Sequence, residues 1–460
     1  MVESSTATTA RRFSPRTSLA AIGVKLRQLD VFGPIQQMVT IAQKTVKHTP
    51  TQKLYDAFIT MLAGAHGLVE INTRLRSDAA LQAAFGRTAC AEQSVVQETL
   101  DACTAENVTQ LEQAVDAIYR QHSRGFRHDY AHSWQVLDAD MSGLPCGPKA
   151  AFATKGYFAN QRNRRGRQLG RVVASRYDEV VVDRLFPGRT QLTSALQPLV
   201  LAAEQTLALD EAQRRRTILR VDAGGGSLDD VNWALRRGYQ VHCKDYSAHR
   251  AATLAASVAT WVDDPRTPGR QVGWVTAPAA AYVRPAQRIA VRCQKKNGDW
   301  GVGVILSTLR PRGVLLRTAQ PIDREADPAA ILLAYVYFYD QRGGGCEAAN
   351  KGDKQGLGAT RRNKKRFEAQ QMLMLLGTVA HNVVVWARAW LAPRCPRLAH
   401  YGILRLIRDV GQVSGFLYFN VAGQVVGVTL NAAAPLAAEL AAALGPLLAA
   451  DGVVATLGET

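Results

Sequence analysis

Three carboxylates stand in sequence surroundings that suit the binding of divalent metal ions. Asp140 follows the apolar run Val-Leu-Asp-Ala and precedes Met-Ser-Gly; Asp222 ends the run TILRVD before three glycines; Glu347 lies in YDQRGGGCEAANKGDK. Magnesium and manganese prefer carboxylate oxygens as ligands. Two such ions about 4 Å apart can hold the attacking and leaving oxygens of a phosphoryl transfer. The three acids are therefore candidates for a metal-dependent phosphoryl-transfer site.

Each candidate has a competing interpretation. Asp138 lies two residues before Asp140 and so on the same face of a strand, and Asp140 could instead cap a turn. The glycines after Asp222 suggest a phosphate-binding loop, but no Gly-Lys-Ser/Thr follows them. A dinucleotide site is also disfavoured, because the glycine spacing does not match. Glu347 could belong to a solvated, charged helix.

The spacing of Glu347 and Lys354 favours a shared role. Seven residues separate them, about two helical turns, so both would face one side of a helix. One side chain could then bind a metal while the other contacts a DNA phosphate. Asp340 and Asp353 are less suitable, because each adjoins Tyr339 or Lys354, and helix neighbours are turned about 100° apart.

The elements around these acids predict an α/β fold with a mixed sheet. Three strand-like runs come first, and their alternation suits an antiparallel meander. A helix, a strand, a second helix and a further strand follow. This succession is the order of a ribonuclease H-like core. The runs are residues 133–145, 166–177 and 178–188, then 194–209, 217–222, 227–238 and 239–246.

The rest of the chain predicts further units around that core. The polar first residues are expected to be disordered, and a helical pattern follows, with Thr49 and Thr104 as helix caps. A β-rich insertion, including the run RGVLLRTA, precedes the segment that carries Glu347. The predicted divisions are 1–20 (tail), 21–130 (all-helical, DNA-binding), 131–260 with 321–400 (core), 261–320 (insertion) and 401–460 (hairpin and helix).

The charge of the chain predicts a polyanionic partner. The sequence has 56 Lys and Arg against 38 Asp and Glu, a formal charge of +18. Nucleic acid accounts for such a surplus through phosphate contacts that release counterions; an anionic membrane surface is the competing partner. The basic residues cluster at 162–167, 214–216 and 361–366. From these clusters we expect Arg164, Arg165, Arg361, Arg362, Lys364 and Lys365 to contact DNA.

Other classes of protein are disfavoured. The seven cysteines are scattered and none forms a CxxC pair, which argues against a disulfide framework or a zinc site. The first residues lack the apolar run of a signal peptide. The apolar stretch 431–454 is interrupted by Pro435, Glu439, Pro446 and Asp451, so no membrane partner is expected.

Taken together, these strings resemble a known family. Tyr339-x2-Arg342-x4-Glu347-x6-Lys354 resembles the Tyr-x2-Arg-x3-Glu-x6-Lys signature of insertion-sequence DDE transposases. LDADMSGLP and RVDAGGGSLDDVNWALRRGY resemble that family's first and second Asp segments, and AHNVVVWARAWL its closing core helix. The resemblance runs from about residue 133 to 391. One residue more than in the family pattern separates Arg342 from Glu347.

The resemblance implies a ribonuclease H-like core with a β insertion, Mg2+ or Mn2+ as cofactor, and cut-and-paste transposition in the bacterial cytoplasm at the nucleoid. It also implies a dimer that binds transposon-end inverted repeats and target DNA. Asp140, Asp222 and Glu347 would be the catalytic metal ligands.

The family pattern further implies that Tyr339, Arg342 and Lys354 contact phosphates near the scissile bond, and that Trp300 stacks on a flipped base. Asp323 is a competing second acid, but it precedes Glu347 by only 24 residues (347 − 323), which leaves no room for the insertion. Two other functions stay open: a ribonuclease H-like nuclease, and an inactive DNA-binding protein derived from a transposase.

Overall fold

The fold is taken from a computed structural model that describes residues 10–158, 161, 163–245, 247–278, 281–319 and 327–459. The first part of the chain is mostly helical. Its elements are β1 (Ala10–Ser14), α1 (Thr17–Gln28), α2 (Gly33–Met38), α3 (Pro50–Leu62), α4 (Ile71–Arg74), α5 (Ala79–Ala84), α6 (Gln93–Ala102) and α7 (Ala105–His122).

Strands and helices alternate through the middle of the chain. They are β2 (Gln135–Pro145), β3 (Thr154–Lys155), β4 (Arg165–Ala174), β5 (Glu179–Pro187), α8 (Leu192–Leu207), α9 (Glu211–Arg215), β6 (Thr217–Val221), α10 (Leu228–Arg236), β7 (Gln240–Lys244), α11 (Ala248–Ala255), β8 (Val262–Asp263), β9 (Arg270–Trp274), β10 (Gln287–Gln294), β11 (Trp300–Ser307), α12 (Pro311–Arg317), α13 (Pro328–Asp340), α14 (Cys346–Gln355) and α15 (Phe367–Leu391).

A short helical turn, a hairpin, a helix and a strand complete the chain. These elements are α16 (Ile403–Arg405), β12 (Gly415–Phe419), β13 (Val425–Asn431), α17 (Ala437–Ala449) and β14 (Val454–Gly458).

One large mixed sheet forms the centre of the molecule. Its order is β5-β4-β2-β6-β7-β11-β10-β9-β8, and β3 pairs with the first residues of β4. The pairs β2–β6 and β6–β7 are parallel, and the other pairs are antiparallel. The predicted succession of three antiparallel strands and two parallel ones is therefore present, and the α/β class with a mixed sheet is confirmed.

Successive side chains of β2 and β6 lie on opposite faces of the sheet, and each face packs against a different layer of helices. Leu137 and Ala139 of β2 pack with α8 and α10 on one face, in a core that includes Leu219 and Val221. Val136 instead packs on the other face, with α12 and α13. Because successive strand residues point to opposite faces, Asp138 and Asp140 share the face of α13.

The strands predicted for an insertion continue the large sheet. Strand β11 pairs with β7 through Ile305 and Lys244, and β10, β9 and β8 follow outward from it. The run RGVLLRTA differs from its predicted β structure, because it forms helix α12. Pro311 occupies the first turn of that helix, where its missing N–H costs nothing, and Val314 and Leu315 are buried.

The two ends of the chain are joined in a second sheet, which corrects one prediction. Strand β1 pairs with β12, in the order β1-β12-β13-β14. Residues 10–20, predicted to be disordered, therefore form a strand and the start of α1. The region predicted to be all-helical, 21–130, is not affected by this correction, because β1 lies before it. The polar, arginine-rich strand gave no apolar alternation, and its order comes from pairing with residues about 400 positions away.

Helix α15 lies at the centre of the largest hydrophobic core. Its buried side chains pack with α3, α6 and α7 of the N-terminal part and with α17 of the C-terminal part. It is long and apolar enough to cross a membrane, but most of it is buried inside the protein, as in a core helix. The regions predicted as 21–130 and 401–460 thus share one core through this helix.

Two helix starts agree with their predicted caps. The Thr49 hydroxyl accepts a hydrogen bond from the backbone N–H of Gln52 at the start of α3. The Thr104 hydroxyl accepts one from Asn107 at the start of α7. Both caps satisfy an N–H that the helix leaves free in its first turn.

Glu179 ties the helical part to the sheet. This fully buried carboxylate, at the start of β5, accepts hydrogen bonds from the backbone N–H groups of Arg124 and Gly125, 3.0 and 2.7 Å away. It also accepts from the indole N–H of Trp386 on α15 at 3.0 Å and from the Tyr119 hydroxyl of α7 at 3.4 Å. Burial raises the pKa of Glu179.

Replacing Glu179 with Ala should therefore destabilise the protein by about 3–5 kcal/mol, because several buried donors lose their acceptor. Urea unfolding followed by circular dichroism measures this loss. Glu98→Ala, at an exposed position on α6, is the control and should change stability by less than about 0.5 kcal/mol. Equal effects of the two substitutions would refute the role given to Glu179.

Candidate active site

The parallel pairing of β2 with β6 brings the first two candidate acids to one edge of the sheet. The last paired residues are Ala139 and Val221. Asp140 and Asp222 come next on the two strands and therefore lie side by side. Asp222 also accepts a hydrogen bond from the backbone N–H of Gly224 at 2.8 Å, which fixes its carboxylate at the start of the glycine turn.

Asp138, the rival of Asp140, has a structural role. Its side chain is fully buried and forms two hydrogen bonds with the guanidinium of Arg220 on β6, at 2.6 and 2.8 Å. The Ser175 hydroxyl donates a further bond to it at 2.5 Å. Both oxygens of this carboxylate accept hydrogen bonds from protein donors, so Asp138 is committed to the fold.

Arg342 lies between the acids. It follows α13 in a single 3-10 turn, Gln341–Gly344, and is buried. Its guanidinium nitrogens lie 3.7 Å from a carboxylate oxygen of Asp140 and 3.7 Å from one of Glu347. The same group donates a 3.3 Å hydrogen bond to the hydroxyl of Tyr339. One cation thus contacts three of the predicted site residues.

The glycines after Arg342 accommodate the extra residue of the signature. The 3-10 turn separates α13 from α14, so the two helices need not share a continuous phase. At Gly345 a Cβ atom would lie 2.6 Å from a carboxylate oxygen of Asp138. Only glycine allows this close approach, which brings the start of α14 against the strand that carries Asp140.

Helix α14 presents one polar face to that strand. Glu347, Asn350 and Lys354 lie three and four residues apart, and so share a face. The Asn350 amide donates to a carboxylate oxygen of Asp140 at 3.3 Å. Burial lowers the pKa of Lys354, and the negative charge of Asp140 partly offsets that effect. Glu347 is more exposed, with 59% of its side chain accessible.

The two neighbouring acids that could have replaced Glu347 have other partners. Asp340 pairs with Arg270 of β9 at 2.7 Å. Asp353 is buried and pairs with Arg171 and His381, each at 2.7 Å. Burial raises the pKa of Asp353, but His381 and Arg171 outweigh it and hold that pKa at about 2.

The electrostatics of Asp140 show that the three candidate acids interact. The pKa of Asp140 is raised to about 6: burial is the largest cause, Arg342 opposes it, and the charges of Asp222 and Glu347 add to it. For Arg342, burial lowers the pKa, and Tyr339, Asp140 and other nearby acids raise it above its ordinary value. Arg342 thus compensates a cluster of negative charge.

The residues present suit a hard divalent metal ion. Within the described part of the chain, no three His, Cys, Asp or Glu side chains lie close enough to hold a metal as they stand. The donor set is nevertheless oxygen-rich. The amide oxygen of Asn350 is buried beside Asp140 and has no hydrogen-bond partner among the described residues. An unsatisfied oxygen next to carboxylates is a suitable ligand for Mg2+.

Lys244 and Asn350 belong to this neighbourhood and were missed in the sequence. Lys244 ends β7, the strand next to β6, and its ammonium lies 4.9 Å from the centre of the Tyr339 ring. The sequence did contain an indication for Lys244. It ends the third parallel strand, just as Asp140 and Asp222 mark the first two. Asn350 lies one helical turn after Glu347, on the same face.

The basic clusters are only partly available to a ligand. Arg164, Arg165, Arg361 and Lys365 are exposed near the far end of β2 and the start of β4. Arg362 corrects the prediction, because it is buried and its guanidinium donates to the carbonyl of Leu357. Burial there lowers the pKa of Arg362 to about 10.

Lys364 is half-buried, and its ammonium donates to the side chain of Gln97. Of the other predicted basic residues, Arg167 is buried and donates to the backbone carbonyls of Ala151 and Lys365. Arg162 and the competing acid Asp323 lie outside the described residues.

Trp300 lies on a hairpin that extends beyond the edge with the acids. Ile305, five residues after Trp300 on the same strand, pairs with Lys244. Trp300 therefore lies about 16 Å along the strand from that pair. The Arg292 guanidinium lies 4.5 Å from its ring centre and 4.1 Å from that of Trp261. By alternation Trp300 faces away from the acids; its base-stacking role stays a prediction.

Comparisons with known proteins add little. No family model and no curated protein matches this chain. A solved structure of a piggyBac transposase synaptic complex with hairpin DNA aligns with 87% of this chain and 82% of that one, at 11% identity and a TM-score of 0.46. Similarity at this level carries no functional argument, so the function has to follow from the site.

The two acids of α14 should behave differently when their charge is removed. Asp353→Asn should destabilise the protein by about 3–5 kcal/mol, because Arg171 and His381 lose a buried partner. Glu347→Gln should change stability by less than about 0.5 kcal/mol, because the side chain is largely exposed. Chemical denaturation at pH 7 measures both.

The pH dependence gives a second readout for Asp353. Its pKa in the folded protein lies below the ordinary value of 3.8, so the carboxylate stabilises the fold above about pH 4. That contribution should disappear as the pH falls towards 2, and Asp353→Asn should remove this part of the acid transition. A larger stability loss in Glu347→Gln than in Asp353→Asn would contradict these assignments.

Proposed function

We propose that this chain is a DDE transposase with a ribonuclease H-like core. It binds the terminal inverted repeats of an insertion sequence and catalyses metal-dependent cleavage and transfer of DNA strands. The observation that carries the proposal is that Arg342 lies 3.7 Å from both Asp140 and Glu347, while Asp222 follows the last paired residue of the strand next to Asp140. These acids come from two adjacent parallel strands and one helix, and the charges of Asp222 and Glu347 both raise the pKa of Asp140.

The acids supply the ligands that the chemistry needs. Asp140, Asp222 and Glu347 would bind Mg2+ or Mn2+, with the amide oxygen of Asn350 as a further donor. When bound, these ions would activate the attacking oxygen and stabilise the charge on the leaving oxygen. The rigid sheet fixes the first two carboxylates, and the exposed Glu347 can turn towards them from α14.

The cations around the acids would orient the DNA. Arg342 and Lys354 would hold phosphate oxygens beside the scissile bond, and Lys244 and the hydroxyl of Tyr339 border the same space. Arg342 would be released from Asp140 and Glu347 when these carboxylates hold a metal. The guanidinium could then pair with phosphate, for which its planar donors are well suited.

Exposed basic residues would extend the contact along the DNA. Arg164, Arg165, Arg361 and Lys365 lie beyond Asp140 on the side of β4, where phosphate contacts would position the duplex. The proposed assembly is a homodimer on two transposon ends, acting in the bacterial cytoplasm at the nucleoid. This account also explains the formal charge of +18.

Asp222→Asn should lower cleavage of a terminal-repeat duplex more than about 100-fold in Mg2+ or Mn2+, with DNA binding retained. Losing even an outer partner of a metal site typically costs 10–100-fold, and Asp222 is proposed as a direct ligand. Cleavage is measured on labelled duplex by gel electrophoresis, and binding by fluorescence anisotropy.

Asp229→Asn is the matched control, because Asp229 is exposed on the neighbouring helix α10 and loses the same charge. Its cleavage rate should stay within about twofold. Normal cutting by Asp222→Asn together with an inactive Asp323→Asn would show that Asp222 is not the second acid. Cleavage without any joining of strands would favour a ribonuclease H-like nuclease instead.

A further inference from the structure

A cleft of about 930 Å3 opens at the opposite end of the strands from the acids. It lies where β2, β6 and β7 begin, between the turn after α13 and helix α12. We call it the basic cleft and define it by Trp134 and five arginines, Arg176, Arg216, Arg310, Arg312 and Arg317.

The positive charge of the basic cleft has no compensation within the described residues. No Asp or Glu is among the described residues that line it, and none of the five arginines forms an ion pair with a described residue. The Nε atom of Arg216 is buried without a hydrogen-bond partner. Burial and the charge of Arg216 lower the pKa of Arg317 to about 10. An anion in the cleft would relieve this repulsion.

The arginines divide into a fixed pair and an exposed group. Arg216 and Arg317 lie 5.7 and 5.1 Å from the centre of the Trp134 ring, and each also donates to a backbone carbonyl. The exposed group is Arg176, Arg310 and Arg312. The fixed pair forms the floor of the cleft, and the exposed group lies at its rim. This arrangement suits an extended polyanion that contacts several guanidinium groups at once.

The residues that define the basic cleft lie away from the proposed active site, while the lining also reaches Gly344 and Gly345 before α14. Trp134 precedes Asp140 by six residues, which is about 20 Å along an extended strand. Arg220, in the floor of the cleft, is bound to Asp138 and separates the two regions. A ligand in the basic cleft would therefore lie outside the proposed metal ligands.

We propose that the basic cleft binds the phosphate backbone of DNA, as a second contact surface centred on Trp134, about 20 Å along β2 from Asp140. This inference rests on the proposed function, which makes DNA the polyanion that the protein meets. It adds that DNA affinity depends on residues at one end of the strands and DNA cleavage on residues at the other end. The cleft would contribute affinity without contacting the reacting phosphate.

The test replaces the exposed group with glutamine, as Arg176→Gln/Arg310→Gln/Arg312→Gln in the full chain. Binding to a fluorescent duplex is measured by anisotropy from 50 to 300 mM NaCl, without metal. The slope of log K against log salt should become shallower by about 2 to 3, since each lost phosphate contact contributes about 0.9. Affinity at low salt should fall roughly tenfold or more.

A second triple variant, Lys47→Gln/Arg236→Gln/Arg394→Gln, removes the same charge from exposed positions that do not line the cleft. It should keep the wild-type slope and bind within about threefold of wild type. Equal losses in the two triple variants would overturn the inference, because net charge alone would then explain binding. An unchanged cleft variant would overturn it as well.

Two arms separate the possible failures. If the wild-type chain does not bind DNA, the proposed function fails along with the inference; if it binds and cleaves but the cleft variant binds equally well, only the inference fails. Inorganic tripolyphosphate is the second arm, tested by thermal shift. A shift that the cleft variant loses while its DNA binding stays normal would assign the cleft to a small anion and overturn the inference.

Discussion

The proposed site depends on keeping several carboxylates together at one edge of a sheet. Burial is the main cause of the raised pKa of Asp140, and repulsion from the like charges of Asp222 and Glu347 adds to it. The guanidinium of Arg342 compensates it by lying within 3.7 Å of both Asp140 and Glu347. A metal ion would do the same with more charge. Arg342 thus supplies an internal cation among the proposed metal ligands.

Buried ion pairs build the frame around this arrangement. Arg220 binds Asp138 between β2 and β6, which fixes the register that sets Asp140 beside Asp222. Arg171 binds Asp353, which attaches α14 to β4 and so orients the face that carries Glu347. These pairs are individually weak evidence for stability, since desolvation offsets their attraction. Their role is to select one geometry, and Gly345 permits the close approach that this geometry needs.

Features that depend on neighbouring residues could be predicted from the sequence, and features that depend on distant residues could not. Strand alternation gave the order of the central elements, and Thr49 and Thr104 marked helix starts, because these features depend on neighbouring residues. The strand pairing of residues 10–14 could not be predicted, since its partner lies at the other end of the chain. The sequence also could not show which basic residues are buried. Arg362 belongs to a basic cluster of the sequence, but packing encloses its side chain. Asn350 joins the candidate site through a contact across 210 residues.

The most direct test of the account is to locate the metal ions. Crystals of the protein grown with terminal-repeat DNA and Mn2+ would be measured at the manganese absorption edge. The account predicts two anomalous peaks about 4 Å apart, bounded by Asp140, Asp222 and Glu347, with Arg342 moved to a phosphate. Manganese bound at other carboxylates, or a DNA complex in which Arg342 still joins Asp140 to Glu347 and no peak is present, would contradict it.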